Sequence, residues 1–281
     1  METVSETKQF GGTQGVYKHA SEATGTQMTF AVFLPPQAAV GSESGRVPVL
    51  WYLSGLTCTH ANVMDKGQYQ RAAARAGVAV VCPDTSPRGA DVHDENDWRI
   101  GSGASFYVDA TQAPWAKNYR MASYVADELP ALVAGNFPLD MSRQGITGHS
   151  MGGHGALVHA LRAPDRFRSV SAFAPIAAPS QADWSRGAFR AYLGDDESAW
   201  AEWDATELVK SGRRLSSVLI DQGQSDPFLR EGTMPHLFAE ACEEAGIECA
   251  LRMQPGYDHG YGFVSTFMED HVAWHAARLQ V

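Results

Sequence analysis

The chain has 281 residues, with 22 Lys and Arg against 32 Asp and Glu, for a formal net charge of -10. The acidic balance, with a pI near 5.4, disfavours nucleic acid and an anionic membrane as partners and leaves a small-molecule or protein substrate. The amino terminus "METVSETKQFGG" has neither the basic start nor the apolar core of a secretory signal. No later stretch approaches roughly 18 consecutive apolar residues.

These features predict a soluble, cytoplasmic protein. With no linker-like stretch, residues 1–281 are expected to form a single domain. Cys58, Cys82, Cys242 and Cys249 show no CxxC or Cys/His ligand spacing, so reduced thiols and no metal site are expected.

In chain order, apolar β-rich runs recur at "TFAVFLPP" (29–36), "VPVLWYLSG" (47–55), "VAVVCPD" (78–84), "QGITG" (144–148), "SVSAFAP" (169–175), "SSVLIDQG" (216–223) and "ECALRMQP" (248–255). Several are nearly continuous in apolar character, as strands covered on both faces are. Between them, "NVMDKGQYQRAAARAG" (62–77) reads as a helix capped at Gly77. The stretch 118–136 puts Tyr124, Val125, Leu129, Leu132 and Val133 on one helical face, with a kink at Pro130. Further helices are expected after Ser150, over "MPHLFAEACEEAG" and over "GFVSTFMEDHVAWHAARL". The alternation predicts an α/β fold, a mostly parallel central sheet with helices on both faces. Residues 85–115 lack a period but are rich in turn formers and aromatics, which predicts an ordered loop walling a pocket.

Gly148-His149-Ser150-Met151-Gly152 fits G-x-S-x-G, with a strand before it and a helix after it. In that setting the serine sits on a strained turn and its hydroxyl projects over the sheet as a nucleophile. A serine needs a base, and histidine is the natural one near neutral pH. In this motif's chain order the acid and then the histidine follow the serine. His236, His271 and His275 lie in expected helices, where a packed or solvated ring is the plain reading; His259, in "PGYDHGYG" past the last strand, is free to reach Ser150. For the acid, Asp226 in "QSDPF" is favoured and Asp221, at the strand end, is the reserve. Asp258 adjoins the histidine and is poorly placed. Oxyanion donors are expected at the backbone N–H groups of Met151 and Leu56, where Gly55 permits the turn. His149 and His154 read as packing or hydrogen-bonding residues of the turn. Cys58, two residues past Leu56, is either a small buried filler or a thiol near the pocket.

With those residues assembled, the chain resembles the S-formylglutathione hydrolases of the esterase D family. The resemblance rests on "YLSGLTCT" (52–59), "PDTSPRG" (83–89), "GASFYVDATQAPWAKNYRM" (103–121), "GHSMGGHGAL" (148–157), "IDQGQSDPFL" (220–229) and "DHGYGF" (258–263). It implies an α/β-hydrolase with Ser150, Asp226 and His259 as its triad, which strengthens Asp226 over Asp221. It also implies hydrolysis of S-formylglutathione to glutathione and formate in formaldehyde detoxification, with side activity on short carboxylic esters and no metal or organic cofactor. Two departures stand out: "DWRIG" (97–101) replaces a W-D-F-G-like segment, and Gly262 replaces an aromatic. Trp98, Arg99 and Gly262 therefore join Cys58 as candidate pocket residues where substrate preference departs from the family. Arg99 or Lys117 could meet the glutathione carboxylates, against the plain reading of a solvated charge.

Two rivals remain. One is a general short-chain carboxylesterase with a different physiological substrate; the other is a non-catalytic binding protein on a hydrolase scaffold, which would ordinarily have lost a triad member. The sequence leaves the assembly open, with a homodimer as one candidate.

Overall fold

In the computed structural model, which describes residues 1–38 and 45–280, all seven expected strands form, and two more join them in one nine-stranded sheet. The first half contains β1 (Glu2–Gln9), β2 (Gly12–Ala20), β3 (Gln27–Leu34), β4 (Val47–Leu53), α1 (His60–Lys66), α2 (Gln70–Ala76) and β5 (Ala79–Pro83). Then come α3 (Met121–Ser123), α4 (Leu129–Asn136), β6 (Leu139–Gly148), α5 (Met151–Arg162) and β7 (Phe167–Phe173). The chain continues through α6 (Asp183–Leu193), α7 (Glu197–Ala201), α8 (Ala205–Lys210), β8 (Ser217–Gly223), α9 (Pro235–Ala245), β9 (Glu248–Gln254) and α10 (Tyr261–Leu279). The sheet order is β1-β2-β3-β5-β4-β6-β7-β8-β9. The pairs from β5 through β9 are parallel, and β1, β2 and β3 add an antiparallel edge. No helix among the described residues is long and apolar enough to cross a membrane.

Strand side chains alternate between two cores. Leu50 and Tyr52 of β4 pack with Val63 of α1, Ala73 of α2 and Met268 of α10. Val49, Trp51 and Leu53 face the other layer, with Leu157 of α5 and Phe238 of α9. Helices thus cover both faces, as the apolar runs require.

Four local features depart from the sequence reading. The β1–β2 hairpin has no signature in the sequence because β1 is exposed along nearly its whole length and so carries no burial pattern. The helix expected over 62–77 is two helices: Gln68 adopts φ 57, and the Gln70 side chain donates to the Met64 carbonyl at 2.6 Å, closing a turn between α1 and α2. Instead of a simple kink at Pro130, a wide π-type turn spans Tyr124–Glu128, and the proline lies in the first turn of α4. Pro130 has no N–H to give the Ala126 carbonyl, and the Arg166 guanidinium donates to that carbonyl instead. Between β7 and β8, α6 to α8 go beyond the expected elements; α7 and α8 are single short turns started by the Asp196 and Asp204 side chains.

The 85–115 segment is ordered around buried Phe106 and Tyr107. It braces the loop after β4: the Tyr107 hydroxyl donates to the Ser54 carbonyl at 2.8 Å, and Thr57 N–H donates to the Gly103 carbonyl at 2.9 Å.

Candidate active site

Ser150 sits between the end of β6 and the start of α5 at φ 57, ψ -118, a conformation costing of order 1–3 kcal/mol for a non-glycine residue. Neighbouring strands hold it there. Ser150 N–H donates to the Phe173 carbonyl at 2.9 Å, and His149 N–H donates to the Leu53 carbonyl at 3.0 Å. Two glycines make the turn possible: a Cβ at Gly148 would lie 2.2 Å from the Gly152 carbonyl oxygen, and one at Gly152 would lie 1.9 Å from that of Leu53.

The loops after β8 and β9 bring the acid and the base together. His259 Nε2 lies 2.9 Å from Ser150 Oγ, and His259 Nδ1 donates to Asp226 Oδ2 at 2.6 Å. Because a carboxylate only accepts, Nδ1 carries the ring proton and Nε2 is left to accept from the serine hydroxyl. Asp226 is held in turn by Gln222 Nε2 at 2.9 Å and by Phe228 N–H at 2.7 Å. Burial works to raise its carboxyl pKa, but the bonds from His259, Phe228 and Gln222 more than offset this and hold it below the usual range.

Asp221 is committed elsewhere. Its carboxylate accepts from Arg252 Nε at 2.9 Å, Gln254 Nε2 at 2.6 Å and His271 Nε2 at 2.9 Å. Burial would raise this carboxyl, yet the His271, Arg252 and Gln254 bonds bring it down to about 2. His271 and His275 are fully buried and share Ser171 Oγ, each at 2.8 Å.

The Met151 and Leu56 N–H groups flank the serine. Among the described residues neither donates to a protein acceptor, so both are available to an oxyanion. The Leu56 loop passes directly against Ser150: a Cβ at Gly55 would lie 3.1 Å from that of Ser150.

A cavity of about 200 Å³ opens over Ser150 and His259, lined by Leu56, Cys58, Trp98, His149, Trp184 and Phe228 among others. Cys58 and Trp98 both border this cavity; burial pushes the Cys58 thiol up, which disfavours a resting thiolate. Arg99 does not line this cavity: its guanidinium folds back on Asp97, Nε to Oδ1 at 2.9 Å and Nη2 to Oδ2 at 2.6 Å. Gly262 does not line it either. Tyr261 turns inward against His149, with ring centroids 5.8 Å apart. Gly262 is left exposed, and a Cβ added to it would meet nothing within 4 Å. Sequence reasoning missed Trp184, on α6, and Gln222 and Phe228, which flank Asp226 in "IDQGQSDPF".

The other turn histidines divide. His154 Nε2 bonds the Phe106 carbonyl at 3.0 Å, and His159 Nε2 bonds that of Tyr107 at 3.2 Å, so both brace the long loop. His149 makes no such bond and borders the cavity. Burial lowers the pKa of His149 and His154 to about 3 and that of His159 to about 4.

A mostly parallel sheet, a strained serine at a strand-to-helix turn, and an acid and a histidine on later loops define a serine hydrolase of the α/β-hydrolase fold. The Esterase family model matches residues 21–276. The S-formylglutathione hydrolase of Paracoccus denitrificans is 58% identical over 278 residues, covering 99% of this chain and 98% of that protein. That of Mus musculus is 51% identical, covering 99% of each. The solved structure of an S-formylglutathione hydrolase from Agrobacterium tumefaciens superposes with a TM-score of 0.97 at 56% identity, covering 99% of this chain and 100% of that one. The chain belongs to the Esterase family and, within it, to the S-formylglutathione hydrolases.

Proposed function

We propose that the protein hydrolyses the thioester S-formylglutathione to glutathione and formate in formaldehyde detoxification, with side activity on short-chain carboxylic esters. The observation that carries the chemistry is the pair of bonds on His259, one to Ser150 and one to Asp226. The names of the close relatives support the substrate, and a small cavity with indole walls suits a small acyl group.

His259 takes the proton from Ser150 Oγ as the oxygen attacks the formyl carbon. Asp226 stabilises the resulting imidazolium. The negative charge on the carbonyl oxygen is received by Leu56 and Met151 N–H, and the α5 dipole adds to the latter. The C–S bond then breaks and the glutathione sulfur takes the proton from His259, leaving a formyl ester on Ser150. Water attacks that ester with His259 as base, releasing formate. Side chains and backbone of one domain supply every group. The four free thiols support a cytoplasmic setting.

The test is steady-state hydrolysis of S-formylglutathione beside a series of short acyl esters. A kcat/KM for the thioester well above that of every ester is expected; a higher value for an ester would make this a general carboxylesterase.

A further inference from the structure

The loop after β4 turns at residues 55–58, where Cys58 N–H donates to the Gly55 carbonyl at 3.3 Å. A trans peptide points its N–H and its C=O in opposite directions. Holding the Gly55 carbonyl therefore fixes where Leu56 N–H, the proposed oxyanion donor, is aimed. The turn is strained: Thr57 adopts φ 66, a genuine outlier for a β-branched residue, and such conformations persist only where the surroundings impose them. Without those contacts the turn would relax and carry Leu56 N–H with it.

Two of the contacts come from the long loop, the Tyr107 hydroxyl on the Ser54 carbonyl and the Gly103 carbonyl on Thr57 N–H. The third is a clamp on Cys58, the last residue of the turn. Its carbonyl accepts from Thr85 Oγ1 at 2.5 Å and from Arg88 Nη2 at 3.0 Å. The same guanidinium grips Asp84, Nε to Oδ2 at 3.0 Å and Nη2 to Oδ1 at 3.1 Å. Asp84 is buried just past β5, and its own N–H donates to the Thr29 carbonyl of β3 at 3.0 Å. Arg88 thereby ties the turn to the sheet, using the planar fork that makes such pairs geometrically specific. It is not among the residues lining the cavity, so it acts on the chemistry through the loop.

We propose that Arg88 is a positioning residue which, with Asp84 and Thr85, holds the turn at residues 55–58 so that Leu56 N–H is preorganised for the oxyanion. The inference rests on the acyl-transfer reading above, with Leu56 as a donor. Attack on the thioester and attack of water on the formyl ester each place negative charge on the same carbonyl oxygen, so a misaimed donor slows both steps. Arg88 gains and loses no proton. Removing an oxyanion donor outright costs about a hundredfold to a thousandfold in kcat, and a donor displaced but still present should cost about tenfold to a hundredfold.

The test is Arg88→Ala, assayed with S-formylglutathione and p-nitrophenyl acetate and titrated with a short alkyl trifluoromethyl ketone, which Ser150 converts to an anionic tetrahedral adduct. On both substrates kcat and kcat/KM should fall together by about tenfold to a hundredfold, with KM within about twofold of native. The inhibition constant of the ketone should rise by the factor by which kcat/KM falls, because the adduct mimics the transition state. The pH dependence of kcat/KM should keep its native midpoint. Added ethylguanidinium should restore rate and ketone affinity in parallel, since the Arg88 side chain is 36% exposed and its place is open to solution. A loss of rate at native ketone affinity, a change confined to KM, or native kinetics would overturn the proposal. Should Arg88→Ala fail to fold, Thr85→Val, which removes the other side-chain donor to Cys58 at nearly constant shape, carries the same test. Unfolding in both would make the cluster scaffold and likewise overturn it. Failure of the acyl-transfer reading shows instead in the native protein, as no fluorophosphonate adduct on Ser150 or as ketone binding no tighter than that of the matching methyl ketone.

Discussion

Gln222 donates to the Asp226 carboxylate at 2.9 Å, and the residue before it, Asp221, points into a separate buried cluster with His271 and Arg252. Successive residues of a strand face opposite sides of the sheet. One step along β8 therefore separates the group that orients the proposed catalytic acid from a carboxylate that holds the sheet to α10.

The two aspartates should fail in different ways. Asp226→Asn should lower kcat by about a hundredfold or more, because the amide cannot hold His259 in the productive tautomer. Asp221→Asn should leave kcat within a few-fold and lower stability at pH 7 by about 2–3 kcal/mol, the equivalent of its pKa displacement. Its folded pKa, about 2, lies below the unfolded value of about 3.9. The contribution is thus complete above pH 4 and is lost as pH falls through 2. Denaturant melts of both variants at pH 7 and pH 3, beside rate assays, give the ranking; a reversed ranking would move the acid role to Asp221.

Ser150→Ala should remove nearly all thioesterase and p-nitrophenyl acetate activity, with a native circular dichroism spectrum. The native protein should take one fluorophosphonate adduct on Ser150 and the variant none. Substantial residual turnover in the variant would refute Ser150 as nucleophile.

Gly152→Ala should cost both fold and activity. Its Cβ would lie 1.9 Å from the Leu53 carbonyl oxygen, a backbone atom that cannot rotate away. A loss of several kcal/mol is expected, at the upper end for single substitutions, with little soluble enzyme recovered.

Gly262→Ala should do the reverse. An added Cβ meets nothing within 4 Å, in the first turn of a 19-residue helix. A gain of roughly 0.5–1 kcal/mol is expected from reduced chain entropy. Kinetic constants for S-formylglutathione should be unchanged, and a shift in KM would return Gly262 to the pocket.

Acid should destabilise the protein well before its carboxylates titrate. His149, His154 and His159 have folded pKa values of about 3, 3 and 4, below the unfolded value of about 6.5. Each ring's contribution is therefore complete above pH 6.5 and is lost as pH falls toward 4 and 3, because the unfolded chain binds the proton first. Urea midpoints measured from pH 7.5 to 4 should fall, and His154→Leu, though weaker at pH 7, should fall less steeply. A midpoint flat down to pH 4.5 would contradict this.

Much of the site is legible from local chemistry. Gly148 and Gly152 announce the tight turn at Ser150, and the loop positions of Asp226 and His259 separate them from rivals on strands and helices. Trp184, Phe228 and Gln222 are not legible, because each enters through a side chain that is unremarkable in its own segment. Arg99 and Gly262 are misplaced for the same reason: proximity in sequence to the pocket's loops does not say which way a side chain points. The β1–β2 hairpin escapes because an exposed edge strand needs no apolar alternation.

The sequence by itself determined the alternation of buried strands and helices, the strained serine turn, and the residue types for an acyl transfer, since all of these are local or periodic constraints. Only the tertiary structure decided which aspartate faces His259, which histidines brace the long loop, and that His149 borders the cavity with no ring hydrogen bond among the described residues. Those outcomes depend on where strands far apart in the chain end beside one another, and the register of a folded sheet decides that.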